Sequence, residues 1–277
     1  MNPTEDVKKL VKEKYTQIAG QSAAENTGSC CGVGGCRTVD YSVFAEDYST
    51  VKGHVTEADL ALGCGIPTNS AQMKPGDTVI DLGSGAGNDA FVARALVGED
   101  GKVIGVDITD AMITKARENC EKLGFRNVEF RPGDIEKIPV SSNVADVVIS
   151  NCVLNLVPDK AKAFQEIFRV LKAGGRFSIS DVVTTAVLPD AVLRAGELYA
   201  GCISGAISKD DYLAVIRAAG FESVRVITEK PIHVPDEILL QYLSAEELGR
   251  YRATNDAILS ITVVGEKKRT CCGPDCC

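Results

Sequence analysis

The stretch Asp81-Leu82-Gly83-Ser84-Gly85-Ala86-Gly87 constrains this chain more than any other. It follows a short apolar run, Val79-Ile80-Asp81-Leu82, and precedes helical spacing over residues 88–97 at Phe91, Val92 and Leu96. A strand that stops at glycines and turns at once into a helix lets backbone N–H groups approach a ligand with no Cβ in the way. The same alternation recurs downstream. Val103-Ile104-Gly105-Val106-Asp107 reads as a second strand, followed by a helix near 110–123. Val128-Glu129-Phe130 is a third strand and Ala145–Ser150 a fourth. A helix near 159–171, ending before Gly174-Gly175, leads to a fifth strand over Arg176–Asp181.

Strands that alternate with helices of this length, written as continuous apolar runs, predict an α/β Rossmann-like fold. The expected sheet is doubly wound and mostly parallel, with helices on both faces. Residues 4–18 predict a helix with Thr4 as its cap, and a short helical stretch is expected to end at Asp59–Gly63. Beyond Pro189, helices are expected near 190–200 and 208–219, and strands over Ser223–Thr228 and Ile258–Val264. The expected organisation is a Cys-bearing helical segment over 1–70, a nucleotide-binding core over 71–184 and a short C-terminal segment over 185–277 that completes the sheet. Its tail, Cys271-Cys272-Gly273-Pro274-Asp275-Cys276-Cys277, has nothing to bury.

The loop glycines at 83, 85 and 87 follow G-x-G-x-G rather than the dinucleotide G-x-G-x-x-G. A carboxylate at the strand end, Asp81, suits a cationic amino-acid ligand better than a diphosphate. Asp107 closes the second strand, where an acid accepts hydrogen bonds from ribose hydroxyls. Gly133-Asp134-Ile135, just after the third strand, places an acid where it can meet an adenine amino group. Together these favour S-adenosylmethionine over NAD. The expected cofactor-binding set is Asp81, Gly83, Ser84, Gly85, Gly87, Asp107, Ile108, Met112, Gly133, Asp134, Ile135 and Asn151.

Composition narrows the chemistry. A formal net charge of −8 argues against nucleic acid or anionic lipid as the main partner. No apolar run approaches the roughly 18 residues of a membrane span, and the first residues lack the basic-then-apolar order of a secretion signal. A soluble, cytoplasmic protein is expected. Two histidines, His54 and His233, exclude a His-rich metal cage. Eleven cysteines in such a chain are thiols rather than staples.

Three of these cysteines lie in polar or Gly-rich surroundings on separate elements. Cys64 stands in Gly63-Cys64-Gly65-Ile66-Pro67, Cys152 follows Ser150-Asn151 at the carboxyl end of the fourth strand, and Cys202 stands in Gly201-Cys202-Ile203-Ser204-Gly205. In a doubly wound sheet the ligand crevice opens at the carboxyl ends of the strands where their order reverses. If strands one and four flank that point, Cys152 stands beside the cofactor and the other two reach it on loops. Three thiolates of this kind suit a soft, thiophilic centre. The plainer reading of any one of them is small core filler, and for Cys120, on a helix, filler or surface is preferred. The C-x₂-C pairs of a structural zinc site are absent.

Gly63-Cys64-Gly65, Asp81-Leu82-Gly83-Ser84-Gly85, Ser150-Asn151-Cys152-Val153-Leu154-Asn155-Leu156 and Gly201-Cys202-Ile203-Ser204-Gly205-Ala206 together resemble the arsenite S-adenosylmethionine methyltransferases. The likeness runs from about residue 5 to about residue 228. It implies a class I methyltransferase fold that transfers methyl groups to trivalent arsenic, with Cys64, Cys152 and Cys202 as the arsenic-binding thiols. It implies a fourth cysteine near the N-terminus that forms a disulfide with Cys64 during turnover; Cys30, Cys31 and Cys36 compete for that place, with Cys31 carried as the candidate. It further implies thioredoxin or glutathione as reductant, in a monomer that detoxifies arsenite. Alternatives are a methyltransferase for a small organic acceptor on the same fold, and a thiol-rich metalloid-binding protein without activity. After about residue 230 the sequence departs from longer family members.

Overall fold

The computed structural model describes residues 3–21, 46–191, 203, 205–234, 236–253 and 257–269. Helix α1 (Pro3–Ala19) is followed, across a long irregular segment, by strand β1 (Thr78–Leu82) and helix α2 (Asn88–Val97). Then come β2 (Lys102–Asp107), α3 (Asp110–Leu123), β3 (Val128–Pro132), β4 (Ala145–Asn151), α4 (Lys160–Val170) and β5 (Leu171–Thr184). The remaining elements are α5 (Lys209–Ala218), β6 (Phe221–Pro231), α6 (Asp236–Leu239), α7 (Ala245–Arg252) and β7 (Ile258–Lys267).

Seven strands form one sheet in the order β3-β2-β1-β4-β5-β7-β6. The pairs from β3 through β5 are parallel, whereas β7 runs antiparallel to both β5 and β6. Strand order reverses between β1 and β4, whose registered pairs run from Val79–Val147 to Leu82–Ser150. The crevice of a doubly wound sheet therefore opens where Asp81 and Cys152 stand.

Apolar strands buried on both sides need covers on both faces. Phe91 of α2 and Met112, Ile113 and Ala116 of α3 cover one face, with Ile18 of α1 packed against them. Phe164 and Ile167 of α4 and Tyr212 and Ile216 of α5 cover the other. Phe91, Phe164 and Phe177 are among the fully buried side chains, each worth about 1.5–3 kcal/mol relative to exposure. A third apolar cluster joins Val11 of α1, Cys64, Cys152, Ile203 and residues of α6, α7 and β7.

The parallel mostly-β/α frame is as expected, and the differences have local causes. Helix α1 starts at Pro3, whose missing N–H costs nothing in a first turn, so Thr4 lies inside the helix rather than capping it. Residues 56–63 form turns rather than a helix: Asp59 Oδ1 accepts the N–H of Ala61, which takes φ +56°, a side-chain turn that competes with helical hydrogen bonds. Strand β5 begins earlier than expected, and its register against β4 jumps between Ala145–Leu171 and Val147–Arg176, so Lys172–Gly175 bulge out. The expected helix at 190–200 lies outside the described residues beyond its first two positions, as do Cys30, Cys31, Cys36, Cys202 and the Cys271–Cys277 tail. Among the described residues, no helix is long and apolar enough to cross a membrane.

Candidate active site

The turn after β1 is built by backbone rather than side chains. Gly83 takes φ +69°, and a Cβ there would stand 2.3 Å from the Val153 side chain. The N–H groups of Gly83 and Ser84 both donate to the carbonyl of Val106, at 2.7 and 3.1 Å, which ties the loop to β2. Asp107 holds the loop from the other side: Oδ2 accepts the Gly85 N–H at 3.0 Å and Oδ1 the Thr109 N–H at 2.8 Å. Asp107 is thus a buttress of the loop as well as a wall of the crevice, with the Thr109 hydroxyl and the Ile108 N–H as further donors to its carboxylate.

A cavity of about 1150 Å³, counting its open mouth, sits over this loop. Asp81, Gly83, Ser84, Gly85, Asp107, Ile108, Met112, Asp134, Ile135, Asn151 and Cys152 all wall it. Two expected residues do not. Gly87 and Gly133 lie behind the wall, where a Cβ would collide with Phe130 and Phe91, or with Pro139, so their smallness serves packing. Cys64 is fully buried next to the wall residue Gly63 rather than on the wall itself.

The cavity's charge is one-sided. Glu46, Asp59, Asp81, Asp89, Asp107 and Asp134 line it, with Lys8 the one cation among the described lining residues. Burial, and then the neighbouring charges of Asp89 and Asp107, hold the Asp81 carboxyl well above its ordinary range. Burial raises Asp89 to about 6, against hydrogen bonds from Asn151 and Tyr48 that pull the other way. Burial also raises Asp107. Three buried polar atoms of wall residues have no hydrogen-bond partner: Asp81 Oδ2, Ser84 Oγ and Asn88 Oδ1. A Cβ on Gly85 would meet nothing within 4 Å, so the backbone opens onto the space there. Orphaned acceptors and an uncompensated acidic wall fit a ligand with cationic groups and hydroxyl donors, as S-adenosylmethionine has through its ammonium, sulfonium and ribose.

Sequence reasoning did not anticipate three contributors. Lys8 of α1, a lining residue, pairs with Asp134 at 2.6 Å and Glu136 at 2.7 Å, where Glu136 is 6% exposed. Asp134, expected to meet an adenine amino group, is therefore already engaged by a cation. Asp89 and Tyr48 join Asn151 in a polar cluster at the floor. The one available signal was Asp89 itself, an acid in the first turn of the helix that follows the glycines. Lys8→Met should release α1 from the cavity wall and weaken nucleoside binding by about tenfold, the scale of a lost charge-assisted hydrogen bond, as measured by calorimetric titration with S-adenosylhomocysteine.

Cys152 directly follows β4 in the left-handed region, at φ +58°, with its N–H donating to the Ser180 carbonyl at 2.8 Å. A non-glycine residue held there carries strain of about 1–3 kcal/mol, and the kink turns the chain from the strand into the loop that walls the cavity. Cys64 packs in the same buried cluster, and so does Ile203, the residue after Cys202. Beneath them, Tyr212 donates to Asp181 at 3.1 Å, both fully buried. Burial pushes Asp181 up to about 7, and burial followed by Asp181, Cys64 and Cys152 pushes Tyr212 well above its usual value. Cys120 is buried with its Sγ 3.5 Å from the Phe125 carbonyl, as core filler.

These raised carboxyls set a pH dependence. Each titrates higher folded than unfolded, so the stability it contributes is complete below its unfolded value and lost as pH rises through its folded one. With Asp181 at about 7 and Asp89 at about 6, the unliganded protein should melt at higher temperature at pH 6 than at pH 8. Asp181→Asn should flatten the upper part of that rise, as read by scanning calorimetry across the range.

The sheet order, with an acid-walled, glycine-floored cavity at its switch point, defines a class I methyltransferase. Residues 73–220 match the family described as a methyltransferase domain. An arsenite methyltransferase of Halobacterium salinarum is 44% identical over 255 residues, covering 89% of this chain and 64% of that protein. One from Aquipseudomonas alcaligenes is 32% identical, covering 87% and 68%. Among solved structures, an arsenic(III) S-adenosylmethionine methyltransferase from Chlamydomonas reinhardtii is 33% identical with a TM-score of 0.59, covering 75% of this chain and 68% of that one. The chain belongs to the arsenite methyltransferase family. It spans about two thirds of the length of these relatives.

Proposed function

We propose that the protein transfers methyl groups from S-adenosylmethionine to trivalent arsenic held by the thiolates of Cys64, Cys152 and Cys202. The observation that carries this reading is the placement of two distant cysteines beside one cavity: Cys152 in its wall, and Cys64 next to the wall residue Gly63 and in the same buried cluster. The burial of Ile203 in that cluster supports Cys202 as the third thiol.

Trivalent arsenic as substrate prefers sulfur to oxygen ligands. Thiols displace its hydroxyls, each thiol proton leaving with a hydroxyl as water, so that arsenic is bound as thiolate and keeps a lone pair. When bound, S-adenosylmethionine supplies an electrophilic sulfonium methyl group to that lone pair. The cysteines hold the arsenic in near-attack position, an effect that can supply several kcal/mol. The attacking atom loses no proton, so no general base is needed, which suits a chain with two histidines. Asp81, Ser84 and Asn88 offer acceptors to the cofactor, Asp107 shapes the loop beneath it, and Lys8, Val11 and Tyr15 of α1 add to the wall.

Methylation takes arsenic formally to the pentavalent state. Two thiols oxidised to a disulfide return it to the trivalent state, and we assign Cys31 with Cys64 to that step, with glutathione or thioredoxin reducing the disulfide. The reading places the protein in the cytoplasm, as a monomer, with residues 1–70 and 185–277 completing the arsenic site around the 71–184 core. Incubation with arsenite, S-adenosylmethionine and glutathione, followed by arsenic speciation, tests it: methylated arsenicals are expected, and arsenite recovered unchanged while the cofactor binds would overturn it.

A further inference from the structure

The contacts of Asn151 reach past the cofactor cavity. We propose that Asn151 is a positioning residue that couples occupancy of the nucleoside cavity to the placement of Cys64, by tying the Cys64 loop to the polar cluster in the cavity floor. The proposal rests on the reading of Cys64 as an arsenic-binding thiol.

Asn151 is the last residue of β4, and its side chain faces two ways. Its Oδ1 accepts the backbone N–H of Cys64 at 3.0 Å. Its Nδ2 lies 2.8 Å from the Gly65 carbonyl, 2.9 Å from Tyr48 Oη and 3.0 Å from Asp89 Oδ2. One amide thus grips the chain on both sides of Cys64 and, with the same nitrogen, joins the cavity floor. The Tyr48 hydroxyl braces the arrangement by donating to Asp89 Oδ1 at 2.7 Å. The fit leaves no slack: a Cβ on Gly63 would stand 2.4 Å from Asn151 Nδ2, so the loop lies flush on the amide. From the far side Ser260 Oγ donates to the Cys64 carbonyl.

Tyr48, Gly63, Asp89 and Asn151 all wall the cavity, whereas Cys64 does not. A nucleoside filling the cavity therefore bears on the cluster and not on the thiol, and the amide, with the Tyr48 hydroxyl 3.1 Å from the Gly65 carbonyl, is the link between them. Cys152 follows Asn151 directly, so the amide that holds the Cys64 loop, alongside Tyr48 on Gly65 and Ser260 on Cys64, also fixes its register against the second thiol. A plain strand-end cap would stabilise β4 without any such link, and local opening of the loop separates the two roles.

Peptide-resolved alkylation of the full-length protein by iodoacetamide, with and without saturating S-adenosylhomocysteine, provides the test. Cys120, buried between α3 and β3, serves as an internal clock for general unfolding. In the wild type, S-adenosylhomocysteine should slow labelling of Cys64. Asn151→Ala should speed Cys64 labelling about tenfold without nucleoside, the scale of one lost buried hydrogen bond. The nucleoside should no longer slow it, although calorimetry still detects its binding, and Cys120 should be unchanged. Tyr48→Phe, which keeps the amide but removes one of its acceptors and the hydroxyl's own bond to the Gly65 carbonyl, should give a rise of about threefold in Cys64 labelling alone. Wild-type rates in these variants, or parallel rises at Cys64 and Cys120, would overturn the proposal. No arsenic enters the measurement, so a wild type that fails to methylate arsenite would sink the substrate assignment and leave this coupling to stand or fall separately.

Discussion

Replacing Cys152 with serine should lower arsenic methylation at least about a hundredfold, while S-adenosylhomocysteine binds within about threefold of the wild type. The substitution changes one atom. Serine keeps the side-chain shape at slightly smaller size, the N–H donation to the Ser180 carbonyl and the left-handed backbone at φ +58°. What it removes is a soft, ionisable ligand: a hydroxyl does not deprotonate at neutral pH and binds trivalent arsenic weakly. Arsenic held by the remaining sulfurs keeps freedom to swing away from the cofactor, and misplacement by an ångström costs about two orders of magnitude. Product speciation with calorimetric titration of the nucleoside reads both halves. A serine variant with near wild-type turnover would favour an acceptor other than a thiolate-bound metalloid.

Asp81→Asn should separate affinity from stability. Asp81 is 2% exposed, its Oδ2 has no partner, and burial with two neighbouring acids pushes its carboxyl well above the ordinary carboxylate range. A cationic ligand would draw it to the ionised form and supply the missing partner. The amide fills the same space without charge, so S-adenosylmethionine affinity should drop by about one to two orders of magnitude, or roughly 1.4–2.8 kcal/mol. The unliganded variant should also melt higher than the wild type at pH 8, since the cost of ionising a buried, repelled carboxyl is gone. In the wild type, affinity should fall as pH is lowered through about 6, where Asp89 takes up its proton. A variant that lost affinity and stability together would mean that Asp81 serves the fold rather than the ligand.

The sheet could be read from sequence because parallel strands buried on both faces must be continuous apolar runs, and Val79–Leu82, Val103–Asp107 and Ala145–Ser150 are. The glycine loop was equally plain, since few structures besides a close strand-to-helix turn need three glycines in five residues. What escaped was held by long-range polar contacts that leave no periodic trace. Lys8 lies 126 residues from Asp134, and Tyr48 lies 103 from Asn151; neither has a local pattern to distinguish it from a solvated charge or a core aromatic. Gly87 and Gly133 stand apart from the other motif positions. They belong to the motif in sequence, yet their missing side chains make room for Phe130 and Pro139 rather than for a ligand. The turn at Ala61 was misread as helix because a single Asx hydrogen bond outweighed a weak propensity.

X-ray absorption at the arsenic edge, on the reduced protein loaded with one equivalent of arsenite and S-adenosylhomocysteine, probes the metalloid's own neighbours. Three sulfur neighbours and no oxygen are predicted, falling to two sulfurs in Cys152→Ser. An oxygen-dominated shell, or a sulfur count that Cys152→Ser leaves unchanged, would contradict the thiolate site.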